Sequence, residues 1–204
     1  SRVGDINFGP EASRNYYDVA NQWFSYWLKD EGLGIDNWPP IQIFVMGSNQ
    51  WRAESEWPLA RTVYQDFYLH SSGSANTTDG DGILSTEPPE YEPHDQYIYD
   101  PKDPVMTQYS TAGQQEPRNL RPLNGRQDIL VYTTTTLEEP LEVTGPVVME
   151  LWAASSAPDT DFVVKLIDVW PDGSAYELCH GIVRARYRKS FTEPSLIRPY
   201  EVYQ

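Results

Sequence analysis

Apolar side chains recur at three- and four-residue steps near the start of the chain. This spacing predicts an amphipathic helix over residues 10–29. Pro10 suits the first position of a helix, and Gly32 is placed to end it. The apolar stripe of the helix consists of Tyr16, Val19, Ala20, Trp23, Phe24, Trp27 and Leu28. A stripe with so many aromatic rings needs a large surface to pack against, either the β-rich region that follows or a domain outside this chain.

From residue 41 onward the pattern changes to short apolar runs that are typical of β-strands. The predicted strands are Ile41–Met46, Val63–Leu69, Gln96–Tyr99, Ile129–Thr134, Val147–Ala154, Phe162–Trp170 and Tyr176–Tyr187. Trp170–Ser174 predicts a tight turn between the last two, since Pro171 fixes one φ and Gly173 accepts a positive one. Many strands with a single helix predict a mainly β fold, an antiparallel sandwich of which the jelly roll is one form.

Two long polar stretches, residues 71–95 and 100–128, are rich in Gly, Pro, Asp, Ser and Asn. Loops of this length inside a compact domain are either functional or disordered. Asp79–Gly82 and Asp159–Asp161 offer oxygens that suit calcium, but neither fits the twelve-residue calcium loop. Turn chemistry explains the first and a strand start explains the second, so we predict no metal and no other cofactor.

The strand predicted at Tyr176–Tyr187 carries a row of arginines, Arg184, Arg186 and Arg188, on one side. Such a row forms a solvated face or pairs with the carboxylates of an acidic protein, and a binding role is the less favoured alternative. Cys179 lies in the same strand and is the only cysteine, which excludes an internal disulfide. We expect it to be a buried packing residue rather than a reactive thiol.

The net charge of −15, from 30 acidic and 15 basic residues, narrows the range of partners. Such a surface repels phosphate backbones and anionic lipids, which argues against nucleic-acid and membrane partners. No run of 18 apolar residues occurs, so no membrane-spanning helix is expected. No signal peptide is visible; because one would lie outside this chain, the compartment stays open, with the cytoplasm favoured.

The chain lacks the sequence signatures of a complete hydrolytic site. The G-x-S-x-G turn of α/β-hydrolases is absent, and Gly47-Ser48-Asn49 continues without a second glycine. We expect His70, His94 and His180 to be ordinary surface residues, none of them beside a nucleophile. One Cys and three scattered His give no zinc-ligand spacing. No catalytic and no metal-binding residue is therefore predicted.

A series of sequence blocks resembles the C-terminal part of the cocaine-esterase and glutaryl-acylase-like hydrolases of the X-Pro dipeptidyl-peptidase group. The blocks are VGDINFGPEA (Val3–Ala12), WFSYWLKDEG (Trp23–Gly32), IFVMGSNQWR (Ile43–Arg52), EWPLA (Glu56–Ala60), FYLHSSGSAN (Phe67–Asn76), GILSTEPP (Gly82–Pro89), YDPKDPV (Tyr99–Val105), DILVYTT (Asp128–Thr134), LEVTGPV (Leu141–Val147), SSAPDTDFVVKLIDVWPDG (Ser155–Gly173) and LCHGIVRARYR (Leu178–Arg188). They cover nearly the whole chain in the same order and with similar spacing, which makes the resemblance specific.

The resemblance implies a parent protein with an α/β-hydrolase domain, a helical cap and a C-terminal jelly roll of the galactose-binding-like type. Residues 1–40, with the helix, would be the tail end of the hydrolase domain, and residues 41–204 the jelly roll, truncated. In such a parent a Ser–His–Asp triad cleaves a small acyl ester or amide, with X-Pro peptides as a further substrate class. All three triad residues would lie before Ser1, so the expected partner is an upstream α/β-hydrolase domain or fragment. Homo-oligomer contacts are also compatible with this organisation.

Two sets of site residues follow from the resemblance. Met106 and Tyr109 lie in the loop that would approach the substrate pocket from the jelly roll, with a surface loop as the alternative. The domain-interface candidates are Trp23, Trp27, Trp51, Arg52 and Trp57. Trp offers a large contact area, and Arg stacks on rings or pairs with carboxylates.

A free-standing carbohydrate-binding jelly-roll module is the alternative function. Seven Trp and 14 Tyr are available to stack on sugar rings. Against it, most of these aromatics fall at core spacing in the predicted strands and helix. Retardation on polysaccharide gels would favour the module.

Overall fold

The computed structural model describes residues 1–32, 34–108 and 117–204. The chain divides into two compact units: unit 1 is Ser1–Pro104 with Gly125–Pro146, and unit 2 is Val105–Asn124 with Val147–Gln204. Antiparallel strand pairs build both units, and one α-helix occurs among the described residues. The predicted mainly β fold with a single helix is thus confirmed.

Helix α1 spans Tyr16–Lys29, so the prediction of a start at Pro10 is wrong. Pro10–Ala12 forms only a 3-10 turn, and the backbone is extended at Ser13. The chain becomes helical after Asn15, whose side-chain oxygen accepts a hydrogen bond from the Tyr17 amide at 3.1 Å. At the other end the left-handed residue is Asp30 (φ 57°), two positions before the predicted Gly32.

Among its described residues, unit 1 contains three strand pairs, each joined by a connection within the unit. The strands are β1 (Arg2–Val3), β2 (Ile6–Asn7), β3 (Ile41–Val45), β4 (Gln50–Glu54), β5 (Tyr68–His70) and β6 (Ile83–Ser85). Strand β4 was not predicted, although the turn residues Gly47 (φ 86°) and Asn49 (φ 54°) before it mark a hairpin. Register pairs Ile41 with Glu54 and Val45 with Gln50.

Several predicted strands do not form as ladders. Val63–Leu69 is reduced to β5, Gln96–Tyr99 has no partner strand among the described residues, and Ile129–Thr134 and Val147–Ala154 contribute single bridges at Thr133 and Ala153. Their apolar patterns indicate extended backbone, but a ladder also needs a second segment at hydrogen-bonding distance. The side chains of Val147 and Val148 are correspondingly exposed.

Unit 2 is organised around one long hairpin. Strand β7 (Asp161–Val169) pairs with β8 (Ala175–Arg184), with a bulge between Leu166 and Ile167. The predicted turn between them is confirmed: the Trp170 amide donates to the Ser174 carbonyl at 2.8 Å, and Gly173 has φ 79°. The predicted last strand ends early, because the chain turns into a 3-10 turn at Ala185–Tyr187.

Among the described residues, few apolar side chains are buried, and these are scattered along the chain. They are Phe8, Ile35, Leu59, Ala75, Leu120, Ala185 and Ile197. Many larger apolar side chains, including those of α1, are exposed instead. Among the helices that the structure describes, none has the length and apolar character needed to cross a bilayer.

Candidate functional site

Of the two predicted substrate-pocket residues, only Met106 lies in the part of the chain that the structure describes. Met106 belongs to unit 2, and 65% of its surface is exposed. Tyr109 lies outside the residues that the structure describes. The pocket role of both residues stays a prediction.

Trp23 and Trp27, two predicted interface residues, lie on an exposed surface of α1. Their rings are 5.8 Å apart, and 46% of Trp23 and 60% of Trp27 are exposed. Phe24 and Leu28 beside them are 57% and 77% exposed. We call these four residues the aromatic face of α1. Of the two surfaces expected for this stripe, the β-rich residues of unit 1 leave these four side chains exposed.

The contact that α1 does make in unit 1 uses a different side chain. Tyr26 donates a hydrogen bond from its hydroxyl to Asp36, in the 3-10 turn Ile35–Asn37. The Asp36 carboxylate that accepts this bond raises the pKa of Tyr26. This contact fixes the end of the helix to the loop that follows and leaves the aromatic face uncovered.

Trp51 on β4 is half-buried inside unit 1. Its indole Nε1 donates to the Glu11 carbonyl at 2.9 Å, and its ring lies 5.5 Å from the Phe44 ring. The Arg14 guanidinium lies over the indole at 3.8 Å, within the range of a cation–π contact. Trp51 thereby holds the segment before α1 against the β3–β4 hairpin.

Arg52 points its donors at carboxylates of unit 1. Its Nη1 and Nη2 donate to both oxygens of Glu142 at 2.9 and 2.6 Å, and its Nε donates to Glu54 at 2.6 Å. Arg61 also binds Glu54 through two bonds, and the Arg61 hydrogen bond, with Arg52 in support, lowers the pKa of Glu54 to about 2. Trp57, the last interface candidate, is 48% exposed.

The arginine row of unit 2 pairs with carboxylates, as one of the two interpretations predicted. Arg184 binds Asp161 through two bonds of 2.7 and 2.9 Å, and Arg186 binds Asp159 at 2.6 Å. Arg188 donates to the carbonyls of Ala185 and Ser195 and lies over the Tyr203 ring. Asp159 and Asp161 are therefore committed to arginines, and the described part of the chain holds no cluster of three or more His, Cys, Asp and Glu that suits a metal ion.

Cys179 is exposed on β8, where the prediction placed it in a core. The bulge in the β7–β8 ladder explains the difference. Leu166 pairs with Cys179 and Ile167 with Glu177, so residues 177 and 179 lie on opposite faces, and Glu177 is the buried one. Glu177 accepts hydrogen bonds from Lys165 and His180, and these two partners satisfy its buried carboxylate. An ion pair thus occupies the interior position that apolar residues were expected to fill.

The polar stretch 71–95 is ordered by its own carboxylates. Asp81 accepts the amides of Ser72 and Ser74 at 2.9 and 3.1 Å. Asp95 accepts the Ala75 amide at 2.8 Å and the Ser71 hydroxyl at 2.6 Å. These bonds tie the two ends of the stretch to each other within unit 1.

His70 on β5 is the centre of a hydrogen-bonded cluster that sequence reasoning missed. Its Nδ1 lies 2.7 Å from the Glu92 carboxylate, and its Nε2 lies 2.9 Å from the Glu87 carbonyl and 3.2 Å from the Ser85 hydroxyl. The expectation that no histidine lies beside a nucleophile is therefore wrong. Pairing of β5 with β6 brings Ser85 close, but Glu92 lies in a proline-rich loop for which no sequence signal exists.

The cluster has the composition of a Ser–His–Glu triad but not its chemistry. A general base needs a lone pair on Nε2, whereas the Glu87 carbonyl can only accept a hydrogen and so holds Nε2 as a donor. The Glu92 hydrogen bond raises the pKa of His70, which further favours the protonated ring. The cluster therefore does not activate Ser85.

A cavity of about 290 Å³ adjoins the cluster within unit 1. Its lining combines polar and apolar groups, and Tyr91, Glu92 and Pro93 supply one wall. The other lining residues are His70, Ser71, Ser72, Asp81 and Ile83.

The chain is similar in sequence and in fold to parts of known hydrolases. Residues 34–204 match the family described as the X-Pro dipeptidyl-peptidase C-terminal non-catalytic domain. Cocaine esterase from Rhodococcus sp. (strain MB1 Bresler) is 46% identical over 210 residues, which cover 100% of this chain and 37% of that esterase.

Two solved structures are similar over 92% of the chain. An aminopeptidase from the marine sediment archaeon Thaumarchaeota archaeon gives a TM-score of 0.75 at 30% identity, with 32% of its own chain covered. An α-amino acid ester hydrolase gives a TM-score of 0.71 at 28% identity, with 33% covered. The chain spans about a third of the length of the relatives it matches.

Proposed function

We propose a function from one premise: this chain belongs to the family of X-Pro dipeptidyl-peptidase C-terminal non-catalytic domains. Its role in that family is to pack on the α/β-hydrolase domain of a serine hydrolase and to form one wall of the substrate pocket. The triad that cleaves a small acyl ester or amide belongs to the neighbouring domain.

The observation that carries this proposal is the exposed aromatic face of α1. Four large apolar side chains on adjacent turns, about half or more exposed, form a patch that soluble proteins normally cover. Trp is also the residue type most enriched at the energetic centres of interfaces. A catalytic domain of the same protein supplies the covering surface.

The β7–β8 hairpin supports the proposal that the chain forms a β-sandwich. Val163 and Ile182 face each other across the ladder, and both are exposed. An exposed apolar face on a two-stranded ribbon is completed when further strands or a second sheet pack on it. We assign these positions to the inner face of a galactose-binding-like jelly-roll sandwich.

The pocket wall is assigned to the segment around Met106. Its side chain is flexible and exposed, which suits contact with apolar acyl groups of varied shape. Tyr109 is assigned to the same wall on the resemblance alone. Substrate specificity of the parent then depends partly on a loop from outside the catalytic domain.

Co-expression of residues 1–204 and the remaining part of the full-length protein as two separate chains tests the proposal. We expect the two chains to copurify in equal amounts and to hydrolyse an activated ester together, while residues 1–204 alone do not. An unrelated β-sandwich domain in place of residues 1–204 is the control. Failure of the two chains to associate, or turnover by residues 1–204 alone, would contradict the proposal.

A further inference from the structure

The ring of His70 faces oxygen atoms at both nitrogens. Nδ1 lies 2.7 Å from an oxygen of the Glu92 carboxylate, which, when ionised, accepts hydrogen bonds and cannot donate one. Nε2 lies 2.9 Å from the Glu87 carbonyl oxygen, which always accepts. Both contacts are satisfied together only when each nitrogen carries a proton.

Ser85 offers the neutral ring a different partner. Its hydroxyl lies 3.2 Å from Nε2, and unlike the Glu87 carbonyl it can donate a hydrogen. When Nε2 loses its proton, its lone pair repels the carbonyl and accepts from Ser85. The partner of Nε2 therefore depends on the charge of the ring.

We propose that His70 is a proton-controlled clasp that holds residues 86–93 as a wall of the adjoining cavity. With both nitrogens protonated, the ring binds Glu87 and Glu92 and keeps the wall closed. With Nε2 deprotonated, the ring turns to the Ser85 hydroxyl, the Glu87 carbonyl loses its donor, and the wall opens. Tyr91 and Pro93, which line the cavity from this segment, move with it.

The charges around the ring favour the closed form. Glu92 from the 86–93 segment and Asp81 from the 71–82 loop line the cavity with His70, and Tyr91 is the remaining titratable residue of the lining. Asp95 acts electrostatically on Glu92. Among the described residues that line the cavity, the carboxylates of Asp81 and Glu92 attract the imidazolium.

The direction of the pH effect follows from these contacts. The Glu92 hydrogen bond raises the pKa of His70 above its ordinary value, and burial opposes this only in part. Protonated His70 stabilises the closed wall fully below the pKa of histidine in the unfolded chain, about 6.5. This stabilisation is lost as the pH rises through the higher pKa that His70 has in the folded protein. The wall is therefore closed in acid and opens in mild alkali.

Nuclear magnetic resonance of the full-length protein, labelled at its histidines, tests the clasp. We expect Glu92→Gln to lower the pKa of His70, because it removes the negative charge but keeps an acceptor for the Ser71 amide that Glu92 binds at 3.1 Å. We expect Ser85→Ala to raise it, because it removes the donor of the neutral form.

Amide hydrogen exchange provides the second readout. After correction for the intrinsic rate, the amide of Ser71, which donates to Glu92, is expected to lose protection about tenfold between about pH 5.5 and about pH 8.5. In Glu92→Gln this loss shifts to lower pH. Shifts of the His70 pKa in the same direction in both variants, or equal protection at the two pH values, would overturn the clasp.

Discussion

Replacement of both Trp23 and Trp27 by alanine is expected to separate this chain from the catalytic domain on which we propose that it packs. In the full-length protein we expect the single thermal transition to split in two and ester hydrolysis to fall steeply. Truncation of a central interface Trp costs about 2 kcal/mol or more, which is about 30-fold in affinity for each residue. Differential scanning calorimetry and the rate of ester hydrolysis measure the two effects.

The double variant Gln22→Ala and Lys29→Ala is the matched control for this prediction. Both residues are exposed, lie on the same helix and fall on the side away from the aromatic face. Alanine preserves helix propensity in all four positions, so a loss of helix is not the cause of the expected effect. If the two double variants had equal stability and equal activity, the aromatic face of α1 would not be a docking surface.

Gly82→Ala is expected to destabilise unit 1 strongly. A Cβ built at Gly82 would lie 2.0 Å from the Val131 carbonyl oxygen and 3.0 Å from the Cβ of Ala75. Ala75 is fully buried, and its carbonyl accepts the Val131 amide at 2.8 Å, so neither neighbour is free to move. Overpacking of this kind costs about 1–3 kcal/mol, and more where backbone must shift.

Urea unfolding of the full-length protein measures this cost. Gly32→Ala is the matched control, because no atom lies within 4 Å of its built Cβ and its φ is not positive. We expect the urea midpoint of unfolding to be lower for Gly82→Ala than for the unsubstituted protein, and to be nearly unchanged for Gly32→Ala. Similar midpoints for the two variants would show that β6 and the segment at Val131 do not approach each other as described.

Sequence patterns predicted those elements whose signals are local. The β7–β8 hairpin follows from two alternating runs around a Pro-Asp-Gly turn, and β3 follows from one apolar run. The family was identified from a series of ordered blocks, and that resemblance is confirmed. Each of these features depends on residues that are neighbours in the chain.

Other features were missed, either because one local signal outweighed another or because they depend on contacts that apolar patterning does not report. The helix begins at Tyr16 because the Asn15 side chain caps it, a local signal that the apolar stripe and Pro10 outweighed. The predicted strand Gln96–Tyr99 failed for a different reason, since apolar patterning does not reveal whether a partner strand is present. The exposure of Cys179 was hidden because Glu177, a charged residue, takes the buried position beside it.

The His70 cluster shows the same limit at a candidate site. Ser85 and Glu92 lie 15 and 22 residues from His70, and no motif links the three. Their distances suggest a triad, and only the Glu87 carbonyl at Nε2 reveals that the ring serves as a donor. The chemical role of His70 therefore depends on a backbone carbonyl, whose position cannot be predicted from the pattern of side chains.

Covalent labelling of the full-length protein with a fluorophosphonate, followed by mapping of the modified peptide, asks directly which serine reacts. Our account predicts that the modified serine lies in the hydrolase domain and that every peptide from residues 1–204 stays unmodified. Modification of a serine within residues 1–204, above all Ser85 beside His70, would contradict it.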